Sequence, residues 1–265
     1  MISSIVAIAV IAGSAFSVSA QSISNQCQST LAGVATSSDG SCLNAAGLVP
    51  LALTGNSTSL VTPINTWLTG FCSQSACTNQ SLANVVKTVI SGCSSDLASL
   101  GFNNDSTDSV VTEVQTYFPT VRQIACLKDT SANQLCVTEV LTGIQSTIGT
   151  LSINNLISLV PKLLSGSGSL DSTVPKNVTC SSCAKQAYNT LNSAFPNLVT
   201  SDDKSSIQSE CGTSFTDGTQ PSGISQTASG LSLAQNNSNS AMAPFAVKST
   251  LASMVVLASG FIVFA

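Results

Sequence analysis

The sequence predicts an all-α fold, a disulfide-stapled helical bundle, and three observations carry that prediction. Apolar residues recur at helical spacing through the body of the chain, sustained period-two alternation is not seen, and ten cysteines with no histidine lie between two apolar ends. The predicted order is a cleaved signal peptide at 1–20, a helical Cys-rich region at 21–164, a linker at 165–175 and a helical hairpin at 176–211 stapled to the first region. A disordered Ser/Thr-rich stalk at 212–239 and a removed propeptide for a glycosylphosphatidylinositol (GPI) anchor at 240–265 follow.

The first segment carries an apolar run from Ile5 to Phe16 and then the small residues Ser17, Val18, Ser19 and Ala20. Cleavage after Ala20 leaves Gln21 at the N-terminus, although no Lys or Arg precedes the run as is usual. The run is too short for a membrane helix, which needs about 20 apolar residues.

Helical faces follow. Ile64, Trp67, Leu68 and Phe71 share one; Leu82, Val85, Val86, Val89 and Ile90 share the next; Val110, Val114, Tyr117 with Phe118, and Val121 form a third. A fourth comprises Val137, Val140, Leu141, Ile144 and Ile148, preceded by Ser131-Ala132-Asn133-Gln134 at capping-box spacing. Beyond the linker, Cys180, Cys183, Ala184, Ala187, Tyr188, Leu191 and Phe195 share a face. Ser201-Asp202-Asp203 reads as cap and acidic first turn of a helix ending near Cys211.

The ten cysteines are Cys27, Cys42, Cys72, Cys77, Cys93, Cys126, Cys136, Cys180, Cys183 and Cys211. An even count in an exported chain reads as a disulfide framework whose connectivity the sequence leaves open. The linker, SGSGSLDSTVP, divides them into seven and three, so with no free thiol at least one disulfide must cross it. Cys126 and Cys136, flanking the polar LKDTSANQL, are the best local pair, and Cys180 or Cys183 with Cys211 would close the hairpin. Cys180-Ser181-Ser182-Cys183 lacks the βαβ setting of a thioredoxin-type redox motif, and the absence of histidine argues against zinc. The segments Cys72 to Cys93 and Cys180 to Cys211 share an order of Cys pair, helix and later Cys, but their unequal spacings make a weak repeat.

From Gly212 to Asn239 periodicity stops, and the Ser/Thr-rich composition predicts a flexible, O-glycosylatable stalk. The end of the chain then has the parts of an anchor signal: Asn239-Ser240-Ala241 as the small triplet, Met242 to Thr250 as spacer, Leu251 to Ala265 as apolar tail. Asn239 is the predicted attachment residue, with Asn237 and Ser238 as competitors. Five sequons, at Asn56, Asn79, Asn104, Asn177 and Asn236, predict N-glycosylation in an exposed setting.

Catalytic chemistry has few carriers. Without histidine the usual general base and the serine-protease-type triad are missing, and neither a nucleophile elbow nor a phosphate-binding glycine loop occurs. Asp202-Asp203, Asp105 with Asp108, and Glu113 are the local carboxylates open to a glycosidase reading, each with a simpler place at a helix start. Trp67 could stack on a sugar, but its spacing places it in a core. A net charge of −4, with no Lys/Arg block, excludes nucleic acid as a natural partner.

CSSCAKQAYNTLNSAF followed by IQSECGTSFTDGTQPSGI, and the earlier VRQIACLKDTSANQLC, resemble a group of fungal secreted, GPI-anchored proteins with a helical Cys-containing domain of unknown function. The resemblance runs from about Tyr117 to Ile224. It implies a fungal cell surface or wall location and transfers no catalytic or ligand residue. The haem-binding fungal surface module also joins Cys density to such anchors. This chain departs from it, with no adjacent Cys pair and no tightly packed eight-Cys order, so haem ligation is not carried over.

The expectation is therefore a non-enzymatic glycoprotein without cofactor or metal, on the outer face of the plasma membrane or in the cell wall. Its partners would be the membrane through the GPI anchor, and cell-wall glycan or surface proteins, in a structural, adhesive or interaction role. The alternative is a binding module that encloses a lipid or small apolar ligand within the bundle.

Overall fold

The computed structural model describes residues 24–53, 57–98, 107–152, 155 and 174–231. The predicted signal peptide, Asn56, Asn104, Asp105, linker residues 165–173, Asn236, the anchor-site candidates Asn237, Ser238 and Asn239, and the propeptide lie outside the described residues.

The N-terminal layer starts where Ser24 accepts from the Cys27 N–H and opens α1 (Asn25–Thr36), which continues through α2 (Ser38–Ser41) and a 3₁₀ turn (Ala45–Leu48) into α3 (Val49–Leu53). Next come α4 (Val61–Ser73), α5 (Asn79–Gly92) and α6 (Ser94–Ala98). On α4 the predicted face of Ile64, Trp67, Leu68 and Phe71 is buried, and Val61 and Cys72 are buried with it. Pro63 is tolerated there because first-turn N–H groups have no intrahelical partner. Thr78 caps α5, whose buried face is Leu82, Val86 and Ile90. The long α7 (Thr107–Ala125) carries Asp108 in its first turn, as the sequence suggested, and Pro119 in its interior.

Two cores result. Leu68, Phe71 and Trp67 of α4 meet Leu141 and Ile144 of α8 (Cys136–Ile148), while Val86 and Ile90 of α5 meet Val110 and Val111 of α7 across the Cys27–Cys93 bridge. Each fully buried side chain of this kind contributes about 1.5–3 kcal/mol. Beyond them lie α9 (Lys176–Thr179), α10 (Ser182–Ala194) and α11 (Ser201–Cys211). Gly143 lets α9 approach α8, since a Cβ there would run into the Val178 side chain. No described helix is long and apolar enough to cross a membrane.

The fold is helical but not purely so. Strand β1 (Leu127–Asp129) pairs antiparallel with β2 (Gln134–Leu135) and with β3 (Ile224–Gln226), giving the order β2-β1-β3. Ser131 to Gln134, expected as a capping box, is instead the hairpin turn and the start of β2. The Asp129 carboxylate accepts from the N–H and hydroxyl of Ser131 and the N–H of Ala132, and Asn133 takes φ 53°. This Asx turn fixes Ser131 in the hairpin, and Gln134 and Leu135 pair as β2, so no helix follows Ser131 for it to cap, and α8 begins after Leu135 without a side-chain cap.

The predicted stalk needs a larger correction. From Gly212 to Leu231 the chain is packed: a 3₁₀ turn at Thr213–Thr216 buries Phe215 against Tyr188 and Ile207, and β3 buries Ile224. Ala228 reaches the main core, and Ser229 N–H donates to the Cys72 carbonyl at 2.8 Å. Three well-spaced apolar residues and backbone pairing offset the ordering entropy that composition alone suggested would win. The remaining stalk, 232–239, lies outside the described residues.

All ten cysteines are paired: Cys27–Cys93, Cys42–Cys77, Cys72–Cys126, Cys136–Cys183 and Cys180–Cys211. Cys136–Cys183 crosses the linker, as the odd split requires, and Cys180 is the partner of Cys211. The expected Cys126–Cys136 pair does not form. With Lys128 opposite Leu135, the hairpin register sets Leu127 opposite Cys136, and both lie in one apolar cluster. Cys126, one residue away, therefore faces the other side of the ribbon, where it meets Cys72.

Candidate functional site

The polar face of α4 supplies the wall of an open groove of about 280 Å³. Asn65, Thr69 and Ser73 recur every four residues beside the buried Ile64, Leu68 and Cys72, and Cys72 itself borders the groove, so one amphipathic helix serves core and groove together. The facing wall is Lys128 on β1 with Asn133, Gln134 and the apolar Leu135 of the hairpin, and Thr227 just after β3 closes one side.

Hydrogen bonds already made decide what this lining can offer. Thr69 donates its hydroxyl to the Asn65 carbonyl at 2.8 Å, Ser73 to the Gly70 carbonyl at 2.6 Å, and Thr227 to the Cys126 carbonyl at 2.8 Å. Each hydroxyl has one proton, so all three present lone pairs to the groove. Thr138 donates to Asn65 Oδ1 at 2.7 Å, which leaves the Asn65 amide N–H groups as donors. Lys128 is the one charged residue of the lining; no carboxylate and no aromatic ring contributes.

The sequence-predicted residues are elsewhere. Trp67 is 5% exposed, and its indole N–H donates to the Leu43 carbonyl at 3.2 Å; it belongs to the core, as its spacing indicated. Asp203 closes a capping box with Thr200, which places the cap of α11 one residue before the expected Ser201. Asp202 lies exposed in that first turn. The Asp108 side chain is 93% exposed and pairs with Lys87 at 3.4 Å. Glu113 is half-buried on α7 with Oε2 unpartnered, and desolvation pushes its carboxyl above the usual range. The phenol of Tyr117, one turn on, is raised by burial first and by Glu113 second. None of these carboxylates lines the groove. Asn79 and Asn177, the two sequons within the described residues, are both exposed.

One acidic cluster was not anticipated. Asp129, Glu139 and Cys183 approach one another closely, yet Cys183 is half of a disulfide, so its sulfur is no thiolate ligand. Glu139 Oε2 lies 3.3 Å from that sulfur. A disulfide sulfur has no proton to donate, so the contact becomes a hydrogen bond only when the carboxyl carries one. Burial, followed by the charge of Asp129, raises Glu139 in the direction that keeps the proton on.

The groove was missed because only half of it is local. The stripe Asn65, Thr69, Ser73 is visible in the sequence as the polar side of an amphipathic helix, but Thr227 joins it through a strand pairing that no local pattern signals. Compared with protein families, curated proteins and solved structures, the chain matches none of them.

Proposed function

We propose that this chain is a non-enzymatic, GPI-anchored glycoprotein of the cell surface with a structural, adhesive or interaction role at the wall. The observation that carries the reading is the complete pairing of ten cysteines, a state that forms and persists in the oxidising secretory and extracellular setting. The apolar ends, exposed Asn79 and Asn177, and the resemblance to fungal anchored surface proteins support it. With attachment at Asn239, at most eight residues follow Leu231, a reach of about 29 Å when fully extended. The folded body then sits close to the bilayer instead of on a long stalk. The lipid-enclosing alternative finds, among the described residues, only an open groove of about 280 Å³, too small and too exposed to enclose a lipid.

Phosphatidylinositol-specific phospholipase C, run beside a sensitive anchored control, is expected to release the native protein. Mass spectrometry should find Gln21 at the N-terminus and an anchor remnant on Asn239 or on its neighbours Asn237 or Ser238. A retained C-terminus ending at Ala265, with no release, overturns the anchor.

A further inference from the structure

We propose that the groove between α4 and the β1–β2 hairpin binds a neutral saccharide, a mono- or disaccharide unit of a glycan chain. The argument rests on the donor and acceptor pattern. Thr69, Ser73 and Thr227 have spent their hydroxyl protons on backbone carbonyls and present acceptors. Asn65, whose oxygen accepts from Thr138, presents its amide N–H groups, Lys128 presents donors across the groove, and the Asn133 and Gln134 side-chain amides offer both kinds of group.

An anion needs donors throughout and would meet three sets of lone pairs. A cation needs carboxylates or free oxygens throughout and would meet Lys128 and the Asn65 amide. A sugar hydroxyl donates and accepts at once, so neighbouring hydroxyls on one ring satisfy both kinds of group. The groove, at about 280 Å³, is just below the usual ligand-site range of about 300–1,000 Å³, which suits one or two rings and not a long segment. Its open side lets a chain continue past it. With Trp67 committed to the core and no aromatic residue in the lining, no ring stacks on the sugar, and the expected affinity is weak, with a Kd of about a millimolar.

This deepens the cell-surface reading by naming a ligand class, and it rests on that reading for where such glycans are met. The two fail separately: anchor release says nothing about the groove, and saccharide titration says nothing about the anchor.

The test is saturation-transfer NMR on the intact secreted protein, with short oligosaccharides of glucose, of mannose and of N-acetylglucosamine as probes. At least one should give saturable transfer that inorganic phosphate does not displace. Asn65→Asp keeps the acceptor for Thr138 but removes the donor, and Thr69→Val removes an acceptor on an exposed helix face. Each should weaken binding about fivefold to tenfold with an unchanged Tm. Thr66→Val, on α4 but outside the groove, should leave binding as it was. Absence of saturable transfer from all three probes overturns the proposal, as does binding that both groove variants leave intact. Displacement by phosphate, marking an anion site, also overturns it.

Discussion

Thr227 is tied twice to the carbonyl of Cys126, by its backbone N–H at 2.9 Å and by its hydroxyl at 2.8 Å. Cys126 is itself bridged to Cys72, so the C-terminal segment is sewn to the point where α4 and α7 are joined. Residues 101 apart in sequence thus share one anchor point.

That stitch predicts protection. Limited proteolysis with a non-selective protease, read by mass spectrometry, should leave 212–231 intact while the native protein persists. Ending the chain after Cys211 removes the buried Phe215 and Ile224 and should cost about 3–6 kcal/mol in urea unfolding. Early cleavage throughout 212–231 would restore the stalk reading for that segment.

Arg122 sets a second expectation. It is 1% exposed, donates to the Gln74 carbonyl at 2.5 Å and more distantly to Ser229, and stands 5.9 Å from the Phe71 ring centre. Arg122→Ala would leave those carbonyls without this donor and a cavity beneath them, a loss of about 2–4 kcal/mol. Arg122→Met keeps the packed stem and removes a charge whose Nε has no partner, so its loss should be smaller. Equal losses, measured as urea midpoints, would show that the hydrogen bonds outweigh the packing.

Disulfide mapping under non-reducing conditions should recover Cys136 with Cys183 and Cys72 with Cys126. A peptide joining Cys126 to Cys136 would contradict the hairpin register. Replacing both Cys136 and Cys183 with Ala opens a constraint spanning 47 residues, with a chain-entropy loss of about 4 kcal/mol.

Acid and alkaline responses should differ by group. Hydrogen bonds from Thr219, aided by Lys185, hold Asp217 at about 2. Its contribution is therefore present above the unfolded carboxylate value and lost as pH falls towards 2. Asp217→Asn should lower the urea midpoint at pH near 6 and leave it unchanged near pH 2. Glu139 is raised, so its contribution is full below the unfolded value of about 4.3 and lost as pH rises through the folded one. Glu139→Gln should remove that alkaline loss. A wild-type midpoint that stays parallel to that of Glu139→Gln across the same range would show that folding leaves Glu139 unshifted.

Helical faces were legible because they are local. Ile64, Trp67, Leu68 and Phe71, or Leu82, Val86 and Ile90, repeat within one element, and burial follows from spacing alone. The parity of the cysteines likewise required a crossing disulfide, and Cys136–Cys183 is one. What misled was competition. Ser131 had the spacing of a cap, but the Asx turn at Asp129 and the pairing of Gln134 and Leu135 made it part of a hairpin; Cys126 and Cys136 were near in sequence, but strand geometry turned them to opposite faces.

By itself the sequence determined the helical class, the disulfide framework and the core role of Trp67, since these depend on periodicity, count and spacing. Tertiary structure alone decided which cysteines join, that 212–231 folds, and that α4's polar stripe becomes a groove. Those outcomes depend on pairing between Asp129 and Ile224, far apart in the chain, and long-range pairing leaves no local pattern to read.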